Sequence, residues 1–289
     1  DLPALPGKSC GRRECPRAAG GRGMNPLPPR WNDCSTQPGI EPLVLVDGAM
    51  QRDVGARLAD RAGDAVSLFS DLPGAAQALG PWLMSPAHAV SLGLDGSGPG
   101  MNWLASRCTF GETLVHLRHW LRDGDPAGMQ YTRLADGRVL RAAIQVWRPA
   151  QLVAFSTPWA GWWLSDRDGR AMPLAIPPLH AMAAVEHASP GWDADQTAAL
   201  AESGLADALL QSLKPTLRSM PSATSREARH ALATTLIAAA RQHGYVEPSD
   251  LASWIAWGVR RSEDADALSA HPVHAQALRG ADLWMALGN

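Results

Sequence analysis

The sequence predicts an α/β lobe built on a mixed sheet, followed by an all-α lobe. Three observations carry this. Residues Glu41 to Leu72 read as strand, helix, strand; further strand-like runs recur as far as Leu164; and beyond Asp193 the apolar pattern is helical, with capping residues at the starts. The predicted organisation is a disordered or extended tail over 1–40, the α/β lobe over 41–178 and the helical lobe over 190–289.

Leu43 to Val46 is a short apolar run rich in branched residues, stopped by Asp47-Gly48, which describes a buried strand ending in a turn. Val54, Leu58 and Ala62 recur every four residues among arginines and aspartates, so a helix with one apolar stripe follows, closed by Gly63. Ala65 to Phe69 is a second strand. Because a crossover helix joins it to the first, the two are expected to be parallel neighbours. A Rossmann-type phosphate site is not indicated: the turn after the first strand holds Gly48 alone, without G-x-G-x-x-G.

A short helix (Gly74 to Leu79), a strand (Pro81 to Met84), a Gly-rich loop (Gly93 to Gly100) and a strand (Asn102 to Arg107) come next. Thr109 is placed to cap a helix running to Arg122. Phe110, Leu114, Leu117 and Leu121 fall on one face of it, and Glu112, His116, His119 and Asp123 on the other. Met129 to Leu134 and Val139 to Val146 read as two strands joined through Asp136-Gly137, a hairpin turn signal. After Trp147-Arg148-Pro149 come helical turns over Ala150 to Phe155, then a hairpin that begins at Gly161 to Leu164 and turns at Asp168-Gly169. The Pro-rich stretch from Ala171 to Gly191 marks the boundary between lobes. Asp193 with Gln196, and Thr224 with Glu227, are spaced as capping boxes. The second helix carries Ala228, Leu232, Thr235, Leu236 and Ala239 on one face and stops at Gly244; Pro248 opens the next, whose apolar face is Leu251, Trp254, Ile255 and Gly258; and Pro272 to Leu287 is the last.

Composition narrows the function classes. The 289 residues are 46% hydrophobic and 19% charged with net charge -2, which lacks the basic excess of a nucleic-acid binder. Twelve Trp against three Phe and two Tyr suit either core packing or protein interfaces. Cys10, Cys15, Cys34 and Cys108 have no metal or disulfide-framework spacing, so a reducing cytosol is the simplest expectation. No apolar run approaches the ~20 residues of a membrane span, and the N-terminal arginines are not followed by a signal-peptide core. Gly7-Lys8-Ser9 lacks the leading glycine of a phosphate-binding loop, and residues before Met24 are expected to be a functionless extension.

The order of these parts resembles the type VI secretion effector-chaperone, or adaptor, family. The resemblance rests on Leu45-Val46-Asp47-Gly48-Ala49, on Pro81-Trp82-Leu83, on His116-Leu117-Arg118 ahead of Asp136-Gly137, and on the aromatic-x-Pro step Trp147-Arg148-Pro149. One departure stands out: relatives carry Arg two residues before an aromatic-Asp-Pro step, where this chain has Gln145 and Arg148. The resemblance implies a non-enzymatic cytoplasmic protein, without cofactor, that binds a toxic effector and helps load it onto the spike protein, touching neither nucleic acid nor membrane.

Partner-binding candidates follow from side-chain chemistry. Trp162 and Trp163 are adjacent on a predicted strand, so one is expected to point inward and the other outward as an interface anchor. Arg118 and Arg148 can combine carboxylate contacts with stacking, the blander alternatives being intramolecular salt bridges or solvated charges. Two other functions remain open: a metal-dependent enzyme using Glu112, His116 and His119, and an immunity protein that neutralises a toxin by binding it.

Overall fold

The computed structural model describes residues 27–28, 30–121, 131–175, 190–217, 225–261 and 263–288. Its N-terminal half holds helix α1 (Trp31–Ser35), strand β1 (Glu41–Asp47), α2 (Arg52–Asp60), β2 (Val66–Ser67), α3 (Gly74–Leu79), β3 (Pro81–Met84), α4 (Pro86–Ser91) and β4 (Met101–Ser106). It continues with α5 (Phe110–Leu121), α6 (Gly137–Val146), α7 (Pro149–Ser156), β5 (Trp159–Ser165) and β6 (Ala171–Pro173). The other half is helical: α8 (Ala194–Ser212), α9 (Lys214–Leu217), α10 (Arg226–Gln242), α11 (Pro248–Arg261), α12 (Ala265–Ser269), a 3-10 turn (Pro272–Gln276) and α13 (Gly280–Ala286). The α/β half followed by a helical half is thus as the sequence predicts. No helix among the described residues is long and apolar enough to cross a membrane.

The sheet has six strands in the order β2-β3-β1-β4-β5-β6, and every pairing is antiparallel, so it is not mixed. The expected parallel pairing of β1 and β2 fails in an instructive way. Both strands pair with β3 and therefore run in the same direction, as a crossover helix demands, but β3 lies between them. The predicted Val139 to Val146 strand is helix α6. Asp136 is its N-cap, accepting the Arg138 N–H at 3.1 Å, and Leu140, Ala143 and Ile144 form a buried stripe at helical spacing. Gly137 fits here because a Cβ would lie 2.6 Å from the Ser165 carbonyl at the end of β5.

Successive side chains of each strand point to opposite faces, and both faces are covered. Leu43, Leu45, Leu104, Trp162 and Leu164 pack with Leu117, Trp120, Leu140 and Phe155 under α5, α6 and α7. Val44, Val46, Trp103 and Trp163 pack with Trp31, Val54, Leu58 and Ala89 under α1, α2 and α4. The expected tail over 1–40 therefore begins to fold before residue 40: Trp31 is buried and meets Trp103 edge-on at 4.7 Å. Within the first of these cores Asn102 is fully buried and satisfied. Its Nδ2 donates to the Ala135 carbonyl at 2.8 Å and its Oδ1 accepts the Trp162 indole N–H at 3.1 Å.

The helical half closes a separate core from Leu209, Leu236, Ile237, Trp254, Ile255 and Leu283. Asp193 and Gln196 make the expected capping box on α8. On α10 the cap is Ser225, whose hydroxyl accepts the Ala228 N–H, while Glu227 serves elsewhere. Gly244 takes φ +80° after α10, as a C′ residue does, and Pro248 opens α11. The single helix expected over Pro272 to Leu287 is split, with Ala277 in the left-handed region between the 3-10 turn and α13. The tail before residue 27, the strand start at Met129, the Thr224 cap and most of the Pro-rich boundary lie outside the described residues.

Candidate functional site

A cavity of about 510 Å³ lies between the two lobes. The α/β lobe contributes the start of α6, the end of β5 and the loop before β4; the helical lobe contributes the last turns of α8, α9 and the first turn of α10. Boundaries of this kind are where ligand sites collect, and the volume lies within the ~300–1,000 Å³ of common binding pockets.

The α/β side is organised by buried carboxylates. Asp47 and Asp136 are almost inaccessible, at 4% and 1% exposure, and Arg133 reaches both, at 2.8 and 3.5 Å. Arg138 binds Asp136 through Nε and Nη2 at 2.9 and 2.7 Å. Burial pushes the Asp136 carboxyl up, but the hydrogen bonds and charge of Arg138, with the charge of Arg133, outweigh it and hold the group below the usual range. The two Asp-Gly steps, far apart in sequence, are thereby joined on one wall.

The lobes meet through ion pairs. Arg167, with its side chain only 10% exposed, binds Asp207 at 2.8 Å and Glu227 at 3.2 Å, and Arg141 also reaches Glu227, at 3.0 Å. Burial raises the Glu227 pKa, yet hydrogen bonds from Arg141 and Arg167 and their charges bring it down to about 2. His230 stands 3.7 Å from Asp207; burial and the Arg167 charge lower its pKa, so it is a poor cation. Farther along, Gln196 donates to Gln151 at 2.7 Å and to the Val146 carbonyl at 3.1 Å, and Arg148 pairs with Asp193 at 2.8 Å. Trp192 stacks on Trp147 and donates its indole N–H to Thr132.

The residues singled out from sequence are dispersed. Trp162 and Trp163 do point to opposite faces, but both are buried, at 1% and 8% exposure, because helices cover the sheet on each side. Neither is an exposed anchor, which corrects that expectation. Ten of the twelve Trp are buried, and Trp192 and Trp284 are partly so, which favours the packing explanation for their abundance. Arg118 clamps α5 to the sheet edge, donating to the Ser67 carbonyl and the Ser70 hydroxyl at 2.8 and 2.6 Å. Arg148 makes the intramolecular salt bridge just described.

Glu112, His116 and His119 do not form a site. Glu112 folds back on Thr109, accepting from its N–H at 2.9 Å and its hydroxyl at 2.7 Å, and the hydroxyl bond first, then the N–H bond, lower its pKa. His116 turns inward against Trp159 and Phe155; since a carbonyl only accepts, its Nε2–H donates to the Phe155 oxygen at 3.0 Å. Burial pushes its pKa down to about 4. His119 stays exposed beside Trp120. No group of three or more His, Cys, Asp or Glu is arranged for a metal among the described residues. A capping box in Thr109-x-x-Glu112 was available in the sequence as a signal that Glu112 is committed elsewhere. Arg167, Asp207 and Glu227 carried no such local signal, because their partners lie dozens of positions away in the other lobe.

Residues 44–154 match the family described as Domain of unknown function (DUF4123). The DUF4123 segment spans β1 through α7, and so contains both Asp-Gly steps and the α/β wall of the cleft up to α6, but none of the helical lobe. No curated protein and no solved structure matches the chain.

Proposed function

We propose that this protein is a non-enzymatic adaptor that binds a type VI secretion effector in the bacterial cytoplasm and helps load it onto the spike protein. The observation that carries the proposal is the match of residues 44–154 to a domain known in such adaptors, over the stretch where the sequence resemblance is densest. The two-lobed architecture supports it, since a cleft with ion pairs across its back suits holding a polypeptide better than the dispersed Glu112, His116 and His119 suit catalysis. With Trp162 and Trp163 buried, the cleft replaces a tryptophan surface as the docking place.

Co-expression of the tagged protein with the products of its neighbouring genes tests this. A stable complex with one large, otherwise poorly soluble partner is the expected outcome. Purified protein that retains no partner but holds a stoichiometric metal would overturn it in favour of a metalloenzyme. Protection of cells from the partner's toxicity, without stabilisation or export of that partner, would overturn it in favour of an immunity protein.

A further inference from the structure

The cations that line the cleft fall into two groups. Arg138 and Arg167 are spent on Asp136, Asp207 and Glu227. Lys214, Arg226 and Arg229 line the same cavity from the helical lobe, and among the described residues no carboxylate pairs with any of their side chains. The third acid of the lining, Asp166, already accepts the N–H groups of Asp168 and Arg170 at 2.9 and 2.8 Å. Five cations and three carboxylates thus line the cleft, a surplus of two positive charges in a protein whose net charge is -2, and the three cations without a carboxylate partner all stand on the helical lobe. Beside them are apolar atoms of Met50, Leu210 and Leu217.

We infer that this cleft receives an acidic peptide segment of the protein partner, its Asp or Glu side chains binding Lys214, Arg226 and Arg229 and a neighbouring apolar side chain resting on Met50, Leu210 and Leu217. The inference takes its partner from the adaptor reading and names the chemistry of the segment gripped. Guanidinium and ammonium groups recognise carboxylates by charge-assisted hydrogen bonds, which are stronger than neutral ones. A nucleic acid fits less well, because no aromatic ring lines the described cleft for bases to stack on.

The test is a titration of the full chain with three probes: a labelled peptide of alternating Glu and Leu, the same peptide with Gln for Glu, and an oligothymidylate of equal length. Lys214→Glu, Arg226→Glu and Arg229→Glu are combined in one variant, with Lys214→Gln, Arg226→Gln and Arg229→Gln in a second; both alter side chains without a carboxylate partner among the described residues, and circular dichroism checks the fold. The acidic peptide is expected to bind wild type about tenfold or more tighter than its Gln counterpart, and to lose at least that factor in the Glu variant. The affinity should fall as salt is raised from 0.1 to 1 M and the screening length shrinks from ~10 to ~3 Å. Equal binding of the two peptides, equal binding by the variants, or tighter binding of the oligothymidylate overturns the inference. Co-purification separates this failure from that of the adaptor reading. A partner retained equally by wild type and the Glu variant sinks the cleft and spares the adaptor. No partner on wild type sinks the adaptor, and the peptide titration then decides the cleft alone.

Discussion

The interiors of the lobes and the seam between them are built from opposite materials. Inside the α/β lobe, apolar strands are sealed on both faces, and the polar atoms admitted, such as Asn102, are fully bonded. The helical lobe closes its own apolar core from residues of that half only. The seam, by contrast, is held largely by Arg167, Arg141 and Arg148 reaching Asp207, Glu227 and Asp193. Apolar burial is not screened by salt and is hard to undo locally, whereas ion pairs near solvent are weaker and answer to pH and ionic strength. The contrast teaches that each lobe can keep its shape while their mutual arrangement stays adjustable, as expected of polar interfaces between domains.

Substitutions should expose this contrast in graded fashion. Trp162→Ala opens a cavity in the first sheet core and strands the Asn102 oxygen, so it should cost about 3–5 kcal/mol in urea unfolding. An intact α/β transition in that variant would refute the assignment of the core. Asp136→Ala leaves Arg138 without its buried acid, leaves Arg133 with Asp47 alone, and removes the α6 cap; a loss of about 3 kcal/mol is expected, again confined to the α/β lobe. Arg167→Ala acts on the seam, where both acids are partly solvated, and should cost only about 1–2 kcal/mol. Its signature is different in kind: calorimetry should show the transitions of the two lobes drawing apart, and a single undivided peak would count against a seam held by this residue. Arg148→Asp, on the exposed bridge to Asp193, should shift the melting temperature least of the four.

Acidification sharpens the same comparison by sign and window. His116 has its pKa depressed to about 4, so the unfolded chain takes up its proton first; the stability this neutral imidazole lends is complete above about 6.5 and declines as pH falls toward 4. Glu227, at about 2, is also depressed, so its contribution is complete above about 4.5 and is lost as pH falls toward 2. Of these two groups, His116 in the α/β interior should therefore respond to acid before Glu227 in the seam, where His230, also depressed, adds to the first phase. His116→Gln should flatten the first phase of a pH–stability profile and leave the second unchanged; a profile that stays the same would remove His116 from the account.

Elements whose pattern is local were legible. Strand β3, helix α3, the Asp193 capping box and the Gly244 stop follow from residues within a few positions of each other. What escaped depends on distant partners. Asp136-Gly137 is chemically as good a helix start as a hairpin turn, and the branched residues of α6 favoured the strand; the buried Leu140, Ala143, Ile144 spacing was the better guide. One of Trp162 and Trp163 was expected to face outward because nothing in their strand tells whether the second face is covered, although the unbroken apolar run Leu43 to Val46 already implied that it is. The cleft was illegible in full: Arg167 and Glu227 are 60 positions apart, and no periodicity joins them.

The stacked pair Trp147 and Trp192 gives the seam a further property. Their rings are 5.9 Å apart and inclined by 27°, with Trp192 tied to Thr132 just ahead of the residue that caps α8. Two indoles so placed share their electronic excitation, so their near-ultraviolet dichroism and emission differ from those of separated rings. Any swing of the helical lobe that draws Trp192 off its neighbour would change the colour and brightness of the protein's own fluorescence, providing an optical gauge of the seam that needs no label.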